Sequence, residues 1–222
     1  FEATAVALAV AEASGGAFDP TLGARLEAAG FDTEFRSGTS FPSGLPVAPA
    51  SYRHVRLDRA QQSITLLQPL LLDLGAVAKG LAIDLAAQAL RGRFAGFAIN
   101  AGGDLYVGGD DGSDGGWSVG LRDPADPARV SDTMRLSDAA VCTSGGYERP
   151  AAKGGGEHHI IDPRSGASPV TIASVTVVGP SAALSDALAT AAFVLGVPAG
   201  LELATSAGAD ALIVERDGTR HL

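Results

Sequence analysis

Asp186 and Thr190 stand four positions apart in SAALSDALATAAFVLG, a run whose spacing and flanks predict a helix. At i and i+4 both side chains leave the same helical face. A carboxylate and a hydroxyl on one face are hard oxygen donors, the kind a divalent cation takes while it also holds a phosphate. The neighbouring Ala187, Ala189, Ala191 and Ala192 offer Asp186 no salt-bridge partner on its own helix. A plainer reading fits the same residues: polar decoration near a helix N-terminus, with Ser185 and Asp186 beside the cap and Thr190 exposed.

Upstream, HHIIDPRSG reads as a strand followed by a turn, which would send His158 and His159 to opposite faces. One histidine can then face a ligand, where a pKa near neutrality suits it to accept a hydroxyl proton. The alternative is a histidine satisfied within the core or at the surface. TSGGYER lacks the G-x-S-x-G pattern and an acid partner, which speaks against a serine hydrolase. Asp73 and Lys79 flank the start of another helix. They are a capping carboxylate and a solvated lysine, or a lysine that meets phosphate while the preceding carbonyls face a cation. The single cysteine, Cys142, lies in the apolar run AAVCTS and reads as a small buried hydrophobe. It excludes an intramolecular disulfide and leaves the compartment open.

These residues need a scaffold, and 222 residues with 46% hydrophobic content can bury a substantial core. No apolar run approaches the roughly 20 residues of a membrane-spanning helix. A net charge of −9 without a basic cluster excludes a nucleic-acid surface. An acidic chain that takes an anionic nucleotide must neutralise it locally, with a cation and one or two placed basic groups. AVALAVAEAS and TLGARLEAAG read as helices, the first ended by Gly15-Gly16, the second capped by Thr21 and stopped at Gly30. YRHVRLD and SITLLQP form a hairpin. AVAKGLAIDLAAQALRG is a helix with apolar Val77, Leu81, Ala82, Leu85 and Leu90. Strands follow at FAIN, AGGDLYVGG, WSVGLRD, TMRLSD, AAVCTS and IASVTVVG, then PAGLELATSAG as a helix and ALIVERDGTRHL as a closing hairpin. Strands grouped between helices predict an α+β fold with a mainly antiparallel sheet flanked by helices.

Taken in order, GGAFDP, DLGAVAKGLAID, INAGGD, TSGGYER, HHIIDPRSG and SDALATA resemble the FAD:protein FMN transferase family, also called ApbE. The resemblance covers nearly the whole chain and implies one ApbE-like domain over residues 1–222. It implies an enzyme that binds FAD with Mg²⁺ and attaches FMN to a threonine of an acceptor flavoprotein, releasing AMP. Asp186 and Thr190 match the family's side-chain magnesium ligands, and Ala76 the position that offers a main-chain carbonyl to the same ion. Asp73 and Lys79 match FAD-contacting positions of D-x-G-x-x-x-K-G; Ala17, Phe18 and Asp19 match nucleotide contacts in G-A-F-D-P. His159 matches the histidine that assists deprotonation of the acceptor threonine, a role with which His158 does not align.

The chain departs from the family at three places. An upstream strand and Met-Gly-Thr-like segment that help build the flavin pocket are not present, and with no initiator methionine at Phe1 an N-terminal part is expected to be missing. Gly146 stands where an aspartate is commoner, and the stretch before Asp73 is short. Two other readings remain open: an FAD pyrophosphatase giving FMN and AMP, and a non-catalytic FAD-binding protein. Family precedent implies an extracytoplasmic protein, held at a bacterial membrane through an N-terminal anchor.

Overall fold

Alanine-rich runs form the helices of this protein, and their small side chains let those helices approach closely. The computed structural model describes residues 1–33, 37–113, 116–126, 128–147 and 158–222. Helix α1, Glu2–Ala13, buries Thr4, Ala5, Ala7, Val10 and Ala11. Gly15 and Gly16 end it at φ +60 and +84, where side chains other than glycine's are strained. A 3-10 turn at Pro20–Leu22 leads into the short α2, Gly23–Ala28. The cap here is Asp19, not Thr21: its Oδ1 accepts from the Thr21 N–H at 2.9 Å and from the Thr21 hydroxyl at 2.7 Å. An aspartate just ahead of a proline at the first helical position outcompetes the later threonine for the cap.

Strands β1 (Val55–Asp58) and β2 (Ser63–Leu66) make a separate antiparallel hairpin, as the sequence predicts. Helix α3 spans Gly75–Leu90. Its buried stripe is Val77, Gly80, Ile83 and Ala87, whereas Ala82 and Leu85 face solvent. The stripe expected from apolar residues is therefore rotated, because the face that meets another helix is built from glycine and alanine.

Strands β3 (Gly96–Ala101) and β4 (Asp104–Gly109) pair through a two-residue turn, Gly102-Gly103, both at positive φ. Strands β5 (Trp117–Arg122) and β6 (Val130–Leu136) form an excursion with its own antiparallel pairing. Then β7 (Ala139–Gly145) returns to pair directly with β4. Strand β8 (Ile172–Gly179) follows, then helices α4 (Ala182–Leu195) and α5 (Val197–Ser206), and finally β9 (Asp210–Glu215) and β10 (Arg220–His221). The main sheet has the order β10-β9-β8-β7-β4-β3, antiparallel throughout. This is the expected α+β architecture. HHIID is not a strand: the Ser168 hydroxyl takes the His158 N–H and gives its own proton to the His158 carbonyl, tying the segment into a loop. Residues 148–157, with Glu148 and Arg149 of TSGGYER, and residues 114–115 of the glycine-rich hairpin tip lie outside the described residues.

Helix α4 is the centre of the core. Leu188 and Phe193 are almost fully buried, packed in one cluster with Val175, Val177 and Ile213 of the sheet and Val10 of α1. Its other flank meets α3. A Cβ at Gly80 would lie 2.3 Å from the Ala182 carbonyl oxygen, so only glycine permits the approach. Asp84 of α3 then caps α4 across the contact, accepting from the Ala182 and Ala183 N–H groups at 2.7 and 3.0 Å and from the Ser181 hydroxyl at 2.7 Å. A negative group at a helix N-terminus is favourable as well as hydrogen-bonded. Together these two devices fix Ala76 and Lys79 of α3 relative to Asp186 and Thr190 of α4. Among the described residues no helix is long and apolar enough to cross a membrane.

Candidate active site

The start of α3, one face of α4, the GAFDP turn, β7 and the HHIID loop enclose a cavity of about 280 Å³. All nine residues singled out in the sequence line it: Ala17, Phe18, Asp19, Asp73, Ala76, Lys79, His159, Asp186 and Thr190. Five of the six motifs scattered along the chain thus line a single space; INAGGD does not reach it.

The cavity is divided by polarity. Leu22, Leu26, Phe31, Ile160 and Val194 form an apolar side, and Phe31 meets the His159 ring edge-on at 6.4 Å between centroids. The other side carries Asp73, Lys79, Asp186 and Thr190 together with Thr143 and Ser144 of β7. Among the described residues, the carboxylates of Asp19, Asp73 and Asp186 line the cavity together with the lysine Lys79. A diphosphate entering such a space meets net repulsion unless a cation accompanies it.

Several of these side chains already have structural work. Asp19 Oδ2 accepts from the Tyr52 N–H at 2.9 Å, so the carboxylate joins the GAFDP turn to the segment before β1. Asp73 Oδ1 accepts from the Gly75 N–H at 2.7 Å at the start of α3, as its capping reading expects. Asp186 is 4% exposed, so it is not the helix-surface decoration that a plain reading allowed. The Thr190 hydroxyl donates to the Asp186 carbonyl at 3.3 Å and lies 3.0 Å from the Ser144 hydroxyl. That leaves Thr190 an oxygen lone pair for the cavity.

The donor set suits Mg²⁺. It is all oxygen, with one carboxylate and one hydroxyl on α4 and Ala76 in the first turn of α3 on the same cavity. Magnesium is commonly held by one or two carboxylates while waters and substrate phosphates fill the remaining positions. Among the described residues no group of three or more histidine, cysteine, aspartate or glutamate side chains is placed to hold a metal ion.

Three residues that sequence reasoning passed over matter here. Asp104, 1% exposed, pairs with Lys79 and accepts from the Thr143 N–H at 3.0 Å. Ser144 orients Thr190, and Asp84 ties the two ligand-bearing helices. The aspartate closing INAGGD was the available signal for the first, but a partner 25 residues away cannot be read from spacing. Gly102 and Gly103 of INAGGD form the β3–β4 turn and do not line the cavity. Gly146 makes room for His158, since a Cβ there would lie 2.7 Å from that ring.

The two histidines divide as expected, though not by strand alternation. His158 is 2% exposed and stacks edge-on against Phe193 at 5.4 Å. Its Nδ1 accepts from the Ile160 N–H at 3.3 Å, so Nε2 carries the proton and donates to the Pro169 carbonyl at 3.1 Å. Burial holds its pKa below the ordinary value of 6.5. Below about pH 6.5 the unfolded chain takes up a proton that folded His158 still refuses. Stability should therefore fall as pH drops below that point and be insensitive to His158 above it. In urea denaturation between pH 7 and 5, His158→Asn should flatten this slope; an unchanged slope would place the acid sensitivity elsewhere. Cys142 is fully buried, its thiol directed at the Ala182 carbonyl at 3.4 Å, and burial pushes its pKa far up. It is packing, not a nucleophile.

The comparisons with known proteins agree with this geometry. A sequence profile described as the ApbE family matches residues 1–213. The FAD:protein FMN transferase of Treponema pallidum is 38% identical, over 95% of this chain and 64% of its own length. That of Rhodobacter capsulatus is 36% identical, over 93% of this chain and 40% of its own length. The chain thus spans between 40% and 64% of these two curated relatives. Among solved structures, the ApbE protein of Thermotoga maritima superposes with a TM-score of 0.84 at 34% identity, covering 98% of this chain and 73% of that one. The flavin transferase ApbE of Vibrio cholerae superposes with a TM-score of 0.79 at 24% identity, over 99% and 72% of the two chains, a likeness of fold. Because the profile match extends from α1 into β9 and takes in every cavity residue named above, the chain belongs to the ApbE family.

Proposed function

We propose that this protein transfers FMN from FAD to a threonine hydroxyl of an acceptor flavoprotein and releases AMP, as a single domain. The observation that carries the reading is the shared cavity. Asp186 and Thr190 of α4, Ala76 and Lys79 of α3, and His159 from the facing loop all line it. Relatives that bear the name FAD:protein FMN transferase support the same chemistry.

In this reading Asp186, Thr190 and the Ala76 carbonyl would hold Mg²⁺, which would supply positive charge against the diphosphate. Lys79 faces the same phosphates as a point charge. His159 accepts the proton of the acceptor threonine as its oxygen attacks the FMN phosphorus. One P–O bond forms, one breaks, and AMP departs with the electron pair. The apolar side formed by Leu22, Leu26 and Phe31 excludes water, which would otherwise compete with threonine and give free FMN.

The purified protein, FAD, Mg²⁺ and an acceptor carrying a Ser/Thr-Gly-Ala-Thr-like motif should yield flavin that stays with the acceptor through denaturation. AMP and free FMN without acceptor labelling would mark a pyrophosphatase instead. FAD binding with no AMP would mark a binding protein. A general base contributes typically about 10²–10⁴-fold. His159→Gln should therefore slow single-turnover transfer by about that factor while FAD affinity changes only a few-fold. Equal losses in both would make His159 a structural residue.

A further inference from the structure

We propose that His158 is a positioning residue, whose buried ring sets the loop that presents His159 to the cavity. The inference rests on the reading of His159 as the base that accepts the threonine proton. The two histidines are neighbours in the chain with opposite surroundings. His159 lines the cavity, whereas the His158 ring is buried and meets Phe193 edge-on, at 87° between the ring planes. Phe193 lies three positions beyond Thr190 on α4, less than one helical turn away. The loop is thereby referenced to the helix that carries Asp186 and Thr190. Gly146, directly after β7, leaves open the slot that the ring fills: a Cβ there would come within 2.7 Å of Cδ2 and 2.9 Å of Nε2.

Both ring nitrogens of His158 are committed. Nε2 donates to the Pro169 carbonyl at 3.1 Å, and Nδ1 accepts from the Ile160 N–H at 3.3 Å. The second contact arches over His159, because it runs from the His158 side chain to the Ile160 main chain. A side-chain acceptor two residues ahead of an N–H closes the kind of turn that aspartate and asparagine make. The Ser168 hydroxyl holds the preceding main chain, accepting from the His158 N–H at 3.0 Å and donating to the His158 carbonyl at 2.8 Å. The two peptide units that flank His159 are therefore each tied, one through the His158 carbonyl and one through the Ile160 N–H. Neither His158 nor Ser168 lines the cavity, so neither needs to touch substrate to matter. Placement of a base is what they control, and a shift of about 1 Å at a reacting group can cost about 10²-fold in rate.

Two substitutions separate the functions of the ring. In His158→Asn, Oδ1 takes the place of Nδ1 and can still accept from the Ile160 N–H, while the tie to Pro169 is lost. In His158→Gln the amide N–H can reach the Pro169 carbonyl, but no acceptor remains for Ile160. Single-turnover FMN transfer and FAD affinity are measured for each, with urea midpoints to report stability. His158→Gln is expected to slow transfer by about 10- to 100-fold. Its FAD affinity, and the transfer rate of His158→Asn, should stay within about threefold of the unmodified protein. In a His159→Gln background the same His158→Gln change should cost no more than about threefold, because a residue that acts through His159 has nothing left to place. A merely structural histidine predicts otherwise: losses that follow the urea midpoints and are the same in both backgrounds. Unslowed transfer in His158→Gln, a His158→Asn protein as slow as His158→Gln, or an equal loss in both backgrounds would overturn the inference. Should His158→Gln not fold, Ser168→Ala, which removes both main-chain hydrogen bonds of His158, goes through the same cycle. No loss there, or an equal loss in both backgrounds, would overturn it equally. If His159→Gln itself left transfer unslowed, the base reading and the inference would both fall. A slow His159→Gln beside an unaffected His158→Gln removes the inference alone.

Discussion

Asp186→Ala is expected to lower Mg²⁺-dependent flavin transfer by about 10³-fold or more, the factor set by losing about 4 kcal/mol of charge stabilisation. Asp186 supplies the only side-chain carboxylate in the proposed ligand set. Without it the Thr190 hydroxyl and the Ala76 carbonyl are neutral donors, and a dication facing a diphosphate has no protein anion to hold it. The fold should survive, because alanine is the best helix former and position 186 already lies among the alanines of α4. Two measurements together settle the matter: Mg²⁺-dependent turnover should fall by that factor, and the urea midpoint should change little. Retained turnover would remove Asp186 from the ligand set. A large loss of stability would show that its buried carboxylate serves the core instead.

Gly80→Ala should be strongly destabilising, because the added methyl has no room between α3 and α4. The added Cβ would meet the Ala182 carbonyl oxygen at 2.3 Å, its carbon at 2.5 Å and the Ala183 Cα at 2.6 Å. All three atoms are backbone, so no side-chain rotation relieves the clash and α3 must move away from α4. Overpacking of this kind costs about 3 kcal/mol, set against the fraction of a kcal/mol that alanine gains over glycine in helix propensity. Separation of the helices also separates Ala76 and Lys79 from Asp186 and Thr190. A displacement of about 1 Å at such a site can cost about 10²-fold in rate. The expected result is a lower urea midpoint together with weaker metal binding. An unchanged midpoint would mean that the two helices part without penalty and that Gly80 is not what brings them together.

Gly80 also shows why part of this fold was hard to read in advance. Strands and helices were legible because their apolar runs and glycine stops are local signals: α1 ends at Gly15-Gly16, β9 and β10 form the closing hairpin, and α4 falls within SAALSDALATAAFVLG, though its cap is Ser181 and not the Ser185-Asp186 pair. The facing side of α3 was not legible, since glycine and alanine carry little hydrophobic signature and Leu85 was counted although it is exposed. HHIID misled for a related reason. Two isoleucines beside histidines resemble a strand, but the Ser168 side chain, ten residues on, decides the backbone.

The candidate site divides in the same way. Its members could be named because each belongs to a short motif, and the order of the motifs carried the family resemblance. The contacts that aim those members could not be named. Ser144 reaches Thr190 across 46 positions, and Asp84 reaches Ser181 across 97. Such pairings are properties of the folded chain, and a motif records only the residue at one end. Asp19 illustrates the cost: its place in GAFDP marked it as a nucleotide contact, yet its two carboxylate oxygens already receive three hydrogen bonds from the protein itself.

The β5–β6 excursion leaves and rejoins the sheet between two strands that pair with each other directly, Leu105 opposite Val141 and Val107 opposite Ala139. None of its described residues lines the cavity. The hairpin is thus a detour that the sheet does not need for continuity. A fluorophore or affinity handle attached in the turn after Gly109 would ride outside the chemistry, giving an engineer a place to watch the protein work without touching it.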